Sequence, residues 1–134
     1  MRERIKSAGS ERQKIKRILL VDDEYDVNFA VKLILEQNDF KVDSFTDASD
    51  ALQNFRAGLY ELVILDVKLP TMDGFSLYEK IKKIDDKVII CFLTAADNAY
   101  YKISKKHYPS VNENCVIHKS VDNESLLRII KSVL

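Results

Sequence analysis

Much of what specialised chemistry needs is scarce in this sequence. Cysteine occurs only twice, as Cys91 and Cys115, each inside an apolar run ("VIICFLT" and "NCVIHK"). No CxxC pair and no Cys/His cluster is present, so the usual zinc patterns are excluded. Both thiols read as buried and free, with a disulfide as the alternative. No apolar stretch approaches the ~18 residues of a membrane span. The N-terminal "MRERIKSAGSERQKIKR" has basic residues but no apolar core, so it is not a signal peptide. Neither sign of charge is in excess: 21 Lys and Arg face 21 Asp and Glu, for a formal net charge of zero. A nucleic-acid-binding domain would usually be strongly basic. No glycine-rich turn follows "RILLVD", so nothing there would admit the pyrophosphate of a dinucleotide. The default expectation is a cytoplasmic protein that meets neither membrane nor nucleic acid directly.

What is present is a chain of 134 residues, long enough for one domain with its own core. Residues 1–16 are polar and charge-rich and read as a flexible arm, either a solvated tail or a contact for an anionic surface. From residue 17 to 134 the texture changes. "RILLVD" (17–22) is an apolar run ending in acid. "EYDVNFAVKLILEQND" (24–39) puts Val27, Val31, Ile34 and Leu35 on one helical face. "FKVDSF" (40–45) alternates like a strand. "DASDALQNFRAG" (47–58) reads as a helix capped by Asp47 and stopped by Gly58. "ELVILD" (61–66) is a second strand ending in acid. "MDGFSLYEKIKKI" (72–84) carries Phe75, Leu77, Tyr78, Ile81 and Ile84, mostly at helical spacing. "KVIICFLT" (87–94) is apolar almost throughout. "ADNAYYKISKKH" (96–107) is a weaker helix, "NCVIHK" (114–119) a strand, and "DNESLLRIIKSVL" (122–134) a helix capped by Asp122 or Asn123.

That order is βα five times over. Strands one, three and four are continuous apolar runs, which marks strands covered on both faces. The fold class predicted is therefore α/β, a doubly wound five-stranded parallel sheet flanked by five helices.

In such sheets ligands bind outside the carboxyl ends of the strands, near the switch in strand order. Four strand ends here carry polar groups: Asp22 and Asp23, then Asp66, then Thr94, then Lys119. Each has a bland reading alone, as a helix cap, a local hydrogen-bonder or a solvated lysine. Together on one sheet edge they define a small cleft. Clustered carboxylates repel unless a cation joins them. An all-oxygen set suits a hard ion such as Mg²⁺. A metal would also hold Asp66 ionised as a nucleophile. Lys119 and Thr94 could bind the oxygens of an incoming phosphoryl group. The chemistry read from these residues is phosphoryl transfer onto an aspartate.

With those residues placed, the stretch from Arg17 to Leu134 resembles a response-regulator receiver domain of two-component signalling, similar to the chemotaxis regulator in element order. The matching motifs are "LLVDDE" (19–24), "VILDVKLPTMDG" (63–74), "FLTA" (92–95) and "VIHK" (116–119). The resemblance implies a flavodoxin-like (βα)5 fold, Asp66 as phosphoacceptor, and Mg²⁺ held by Asp22, Asp23, Asp66 and the backbone carbonyl of Lys68. It implies that Thr94 and Lys119 contact the phosphoryl group. It also implies a sensor histidine kinase or phosphotransfer protein as donor. A downstream protein partner would dock on the face made by the fourth helix, fifth strand and fifth helix, and a weak homodimer stays open. Pro70 and Gly74 would shape the loop after the acceptor. The last predicted helix runs to Leu134, so a receiver without an output domain is expected. Such a chain is not an enzyme beyond its own phosphoryl transfer and autodephosphorylation.

The sequence departs from the family in three places. The aromatic residue often found three before the lysine is Val116, a stiff β-branched side chain. The proline that usually follows the lysine is Ser120, so a trans Lys119–Ser120 bond is expected. The stretch 98–114 lacks the family's Ala-Gly-Ala turn; its Tyr100, Tyr101, Lys102, Lys105, Lys106, His107 and Tyr108 form a candidate output surface. Lys68, two after the acceptor, either screens the phosphoryl group from water or is a solvated loop lysine. The alternative function is a receiver-like interaction module that ignores phosphate. An aspartate-nucleophile phosphatase would by resemblance need an acid at Lys68.

Overall fold

A computed structural model describes residues 15–95 and 116–134. Five strands form a single parallel sheet: β1 (Arg17–Val21), β2 (Lys41–Phe45), β3 (Leu62–Asp66), β4 (Ile89–Thr94) and β5 (Val116–His118). Among the described residues four helices flank it: α1 (Tyr25–Glu36), α2 (Ala48–Asn54), α3 (Gly74–Ile84) and α4 (Asn123–Val133). The predicted helix at 96–107, residues 1–14 of the arm, Cys115 and the Tyr/Lys-rich output stretch lie outside the described residues. Strand order is β2-β1-β3-β4-β5. The chain winds one way from β1 to β2 and the other way from β1 through β3 to β5. The switch point is thus the gap between β1 and β3.

The two-residue period of the strands explains the two cores. Leu19, Val21, Val63, Leu65 and Phe92 point toward α2 and α3, where Ala48, Ala51, Phe75 and Ile81 meet them. Ile18, Leu20, Ile64, Cys91 and Leu93 point the other way, onto Leu35 of α1 and Leu126 and Ile130 of α4. Cys91 is a buried free thiol. No described helix is long and apolar enough to cross a membrane.

The caps explain where helices begin. Asp47, Asp73 and Asp122 each accept a hydrogen bond from the backbone N–H three residues on, at 3.0, 2.8 and 2.7 Å, which satisfies one orphan donor per helix. The ends differ from the periodicity. α1 stops at Glu36, three residues short of the predicted span, and Asp39 adopts φ 71° just beyond it. α2 stops at Asn54 because Phe55 swings to extended backbone and packs its ring in the core at 5.7 Å from Tyr60. Gly58 does take φ 80°, but in the following turn rather than at the helix end. Ile84 is exposed rather than packed, and α1 shows solvent a second apolar stripe, Tyr25, Phe29 and Leu33.

Gly74 has a different reason to be glycine. A Cβ built on it would lie 2.2 Å from the carbonyl oxygen of Asp66 and 3.0 Å from Val67 Cα. Its N–H also donates to Val67 O at 2.8 Å. The start of α3 is therefore pressed against the end of β3, and the intervening loop closes on itself. Gly74→Ala should force β3 and α3 apart, costing at least the upper part of the ~1–3 kcal/mol typical of overpacking. Gly58→Ala meets nothing within 4 Å and should cost only the ~1–2 kcal/mol of a left-handed backbone. Thermal unfolding of the two variants checks this; equal losses would refute the steric account.

Candidate functional site

The carboxyl ends of β1, β3, β4 and β5 open on one edge of the sheet, and parallel pairing fixes their level. Asp66 is the last residue of β3 and pairs with Leu93 of β4, one residue before Thr94. Thr94 pairs with His118, so Lys119 is the first residue past β5, its N–H donating to Thr94 O at 2.8 Å. Asp22 follows Val21 at the end of β1, and its N–H donates to Phe45 O at 3.1 Å. The five residues expected at this edge are thus brought together. Asp23, Asp66, Thr94 and Lys119 line a cleft of about 310 Å³ with Glu24, Val67, Lys68 and Ala95.

Asp22, Asp66 and Thr94 are 0, 4 and 4 % exposed, which is rare for such groups without partners. Lys119 Nζ supplies most of the pairing. It lies 3.0 Å from Asp66 Oδ2, 3.1 Å from Asp22 Oδ2 and 2.6 Å from Glu24 Oε1. Asp66 Oδ1 accepts the Lys68 N–H at 3.2 Å. Asp22 Oδ1 accepts the Glu24 N–H at 2.8 Å. Asp22 Oδ2, although close to Lys119, lies off the hydrogen-bonding direction and is a buried oxygen with no hydrogen bond.

One ammonium does not balance this much negative charge. Burial is the main force on Asp66; it and the neighbouring Asp22 carboxylate outweigh the Lys119 hydrogen bond and lift Asp66 to about 7. Asp22 is raised too, by burial above all, against the Glu24 N–H and Lys119. Burial would lower Lys119, but its bonds to Glu24 and Asp66 overrule that and raise it.

The sign of the resulting pH dependence is fixed. Asp66 in the fold keeps its proton up to about 7, while in the unfolded chain it ionises near 3.8. Between those values the folded state binds more protons, so stability falls as pH rises. Asp43, Asp85 and Asp122 are held low and exert their effect below that window. Metal-free protein should therefore melt at a lower temperature at pH 8 than at pH 5, and Asp66→Asn should flatten the difference. A melting temperature rising across that range would contradict the assignment of Asp66 as an uncompensated buried acid.

Asp22, Asp23 and Asp66 each offer a carboxylate oxygen within 4.8 Å of the others. The set is all oxygen, contains the buried Asp22 Oδ2 that accepts no hydrogen bond, and holds more negative charge than Lys119 offsets. These residues fit a hard divalent cation such as Mg²⁺.

Two residues escaped the sequence reading. Asn28, buried in α1, donates from Nδ2 to Asp22 O at 3.1 Å and to Phe45 O at 2.9 Å, tying α1 to the ends of β1 and β2. A polar residue one step from the apolar Val27 was the only available signal. Glu24 was visible within "LLVDDE", but its partner Lys119 lies 95 residues away. No cis peptide bond occurs among the described residues, so Lys119–Ser120 is trans as expected; with serine there, a cis bond would cost roughly 2.5–4 kcal/mol. Val116 pairs with Phe92 and packs at the margin of the α2/α3 core.

A parallel flavodoxin-like sheet with this acidic edge defines a class, and the chain belongs to the response regulator receiver domain family, whose model matches residues 18–131. It is similar to response regulator ArlR of Staphylococcus aureus, 31% identical over 118 residues that cover 88% of this chain and 52% of ArlR. It is also similar to a solved CheY-like receiver domain protein of Methanospirillum hungatei JF-1: 28% identity, TM-score 0.79, covering 90% of this chain and 94% of that one. A third is TrrA of Thermotoga maritima, solved in complex with Mg²⁺–BeF: 29% identity, TM-score 0.75, covering 90% of this chain and all (100%) of TrrA. The chain spans about half or less of the length of the curated relatives it matches.

Proposed function

We propose that this chain is the phosphoacceptor of a two-component phosphorelay, with Asp66 as the residue phosphorylated. The observation that carries the reading is the pairing of a buried Asp66 with Lys119 beside two further carboxylates at the sheet's switch point. An Asp66 carboxylate oxygen attacks phosphorus in a phosphohistidine of a sensor kinase or phosphotransfer protein. The P–N bond breaks, an acyl phosphate forms, and the imidazole leaves with the electron pair. Lys119, already on Asp66, neutralises a phosphoryl oxygen. The Thr94 hydroxyl, which donates to Ala95 O at 3.3 Å, turns to another. Lys68 stands at the cleft rim, where its side chain would screen the acyl phosphate from water.

Asp22, Asp23, Asp66 and the Lys68 carbonyl would hold Mg²⁺. When bound it supplies charge neutralisation that keeps Asp66 ionised and offsets charge on the phosphoryl oxygens. The chain turns over no other substrate and signals from the cytoplasm. Its partner would dock on the face formed by β5, α4 and the segment near 95–108, most of which lies outside the described residues. Residues 1–16 serve as an arm outside the 17–134 receiver.

The test is intact mass after incubation with acetyl phosphate. One phosphoryl group should be added with Mg²⁺ and none with EDTA. Millimolar Mg²⁺ should also raise the melting temperature, more at pH 8 than at pH 5, because the carboxylates it joins repel when ionised. No mass gain would leave a phosphate-independent interaction module as the better reading.

A further inference from the structure

Glu24 occupies the N-cap position of α1, yet its side chain caps nothing. Its carboxylate instead turns into the cleft and takes the shortest contact Lys119 makes, at 2.6 Å, against 3.0 Å to Asp66 and 3.1 Å to Asp22. An ammonium has three N–H donors. Three carboxylates claim the one at Lys119: Asp22, Asp66 and Glu24. Asp22 and Asp66 are buried at the base of the cleft, whereas the Glu24 side chain is 60 % exposed on its rim. Glu24 therefore stands between solvent and the group that must receive the phosphoryl oxygens.

We infer that Glu24 is a positioning residue that acts through Lys119 as an anionic gate, restraining phosphorylation by free anionic donors. The inference rests on Asp66 being the phosphoacceptor. In the resting protein Glu24 holds one Lys119 N–H and adds negative charge at the cleft mouth. A phosphoryl donor arriving alone meets that charge and must compete for the ammonium. A donor docked as a protein can offset the repulsion with contacts elsewhere on the surface. Glu24 is not needed to hold Lys119 in the cleft, because Asp22 and Asp66 remain as anchors when it is neutralised.

The experiment follows the rate of mass gain of the whole chain and of Glu24→Gln with Mg²⁺, using acetyl phosphate and the less highly charged phosphoramidate. Glu24→Gln should be phosphorylated roughly three- to tenfold faster by acetyl phosphate at low salt, the size expected for one charge near a surface. The advantage should shrink as ionic strength rises and should be smaller with phosphoramidate. A merely structural role would not produce that salt and donor dependence. Equal rates for the two proteins, or a slower variant, would overturn the gate while leaving Asp66 as acceptor. Absence of labelling in both proteins would instead remove the acceptor reading on which the gate depends.

Discussion

Asp66→Asn should gain no phosphoryl group from acetyl phosphate and Mg²⁺, where the unaltered chain gains one. The substitution keeps the shape of the side chain and removes the proposed nucleophile. The backbone contacts at this strand end do not depend on the acid: Val67 N–H still donates to Leu93 O, and the Gly74 N–H to Val67 O. Stability should rise rather than fall at pH 8 without metal. The carboxylate it replaces is buried, lies beside Asp22 and is pushed up to about 7, so ionising it at pH 8 works against the fold. Two readouts thus move in opposite directions, labelling to zero and melting temperature upward. A variant that still gains one phosphoryl group would place the acceptor elsewhere, and one that simply unfolds would show that Asp66 is structural.

Lys119→Met should have the second largest effect, and it separates catalysis from metal binding. The ammonium touches Asp22, Asp66 and Glu24, so its loss removes the cation that pairs with both buried acids. Phosphorylation should slow by about 10²–10³-fold, the usual scale for deleting one preorganised donor to a charged transition state. Mg²⁺ should nevertheless stabilise the variant more than the unaltered chain, because a positive charge next to the proposed ligands has gone. Without metal at neutral pH the variant should melt lower, with its carboxylates short of a partner. Calorimetric titration with Mg²⁺ beside the mass assay distinguishes the two effects. Weaker Mg²⁺ binding together with slow labelling would mean that Lys119 organises the acid cluster rather than competing with the cation.

The sequence by itself determined the elements and the candidate chemistry, because both are written in short windows. The apolar runs within 17–22 and 61–66 read as strands covered on two faces, and the structure places β1 and β3 there. The cap at Asp47, and a cap at Asp122 or Asn123 that the structure resolves to Asp122, announced their helices within four residues. Acids, a threonine and a lysine at four strand ends named the candidate site, since parallel strands must bring like ends to one edge. Tertiary structure alone decided the rest. That α2 ends at Asn54 follows from the Phe55 ring finding Tyr60 in the core, which no helical propensity records. Gly74 is required by the carbonyl of Asp66, 2.2 Å from where its Cβ would sit. Glu24 and Asn28 were unremarkable in the sequence, and joined the candidate site when β2 paired with β1 and Lys119, just past β5 at the far edge of the sheet, reached back across the strand ends. Above all, the charge state of Asp66 was not legible. It depends on burial and on the distances to Asp22 and Lys119, which strand order and register set across the whole domain.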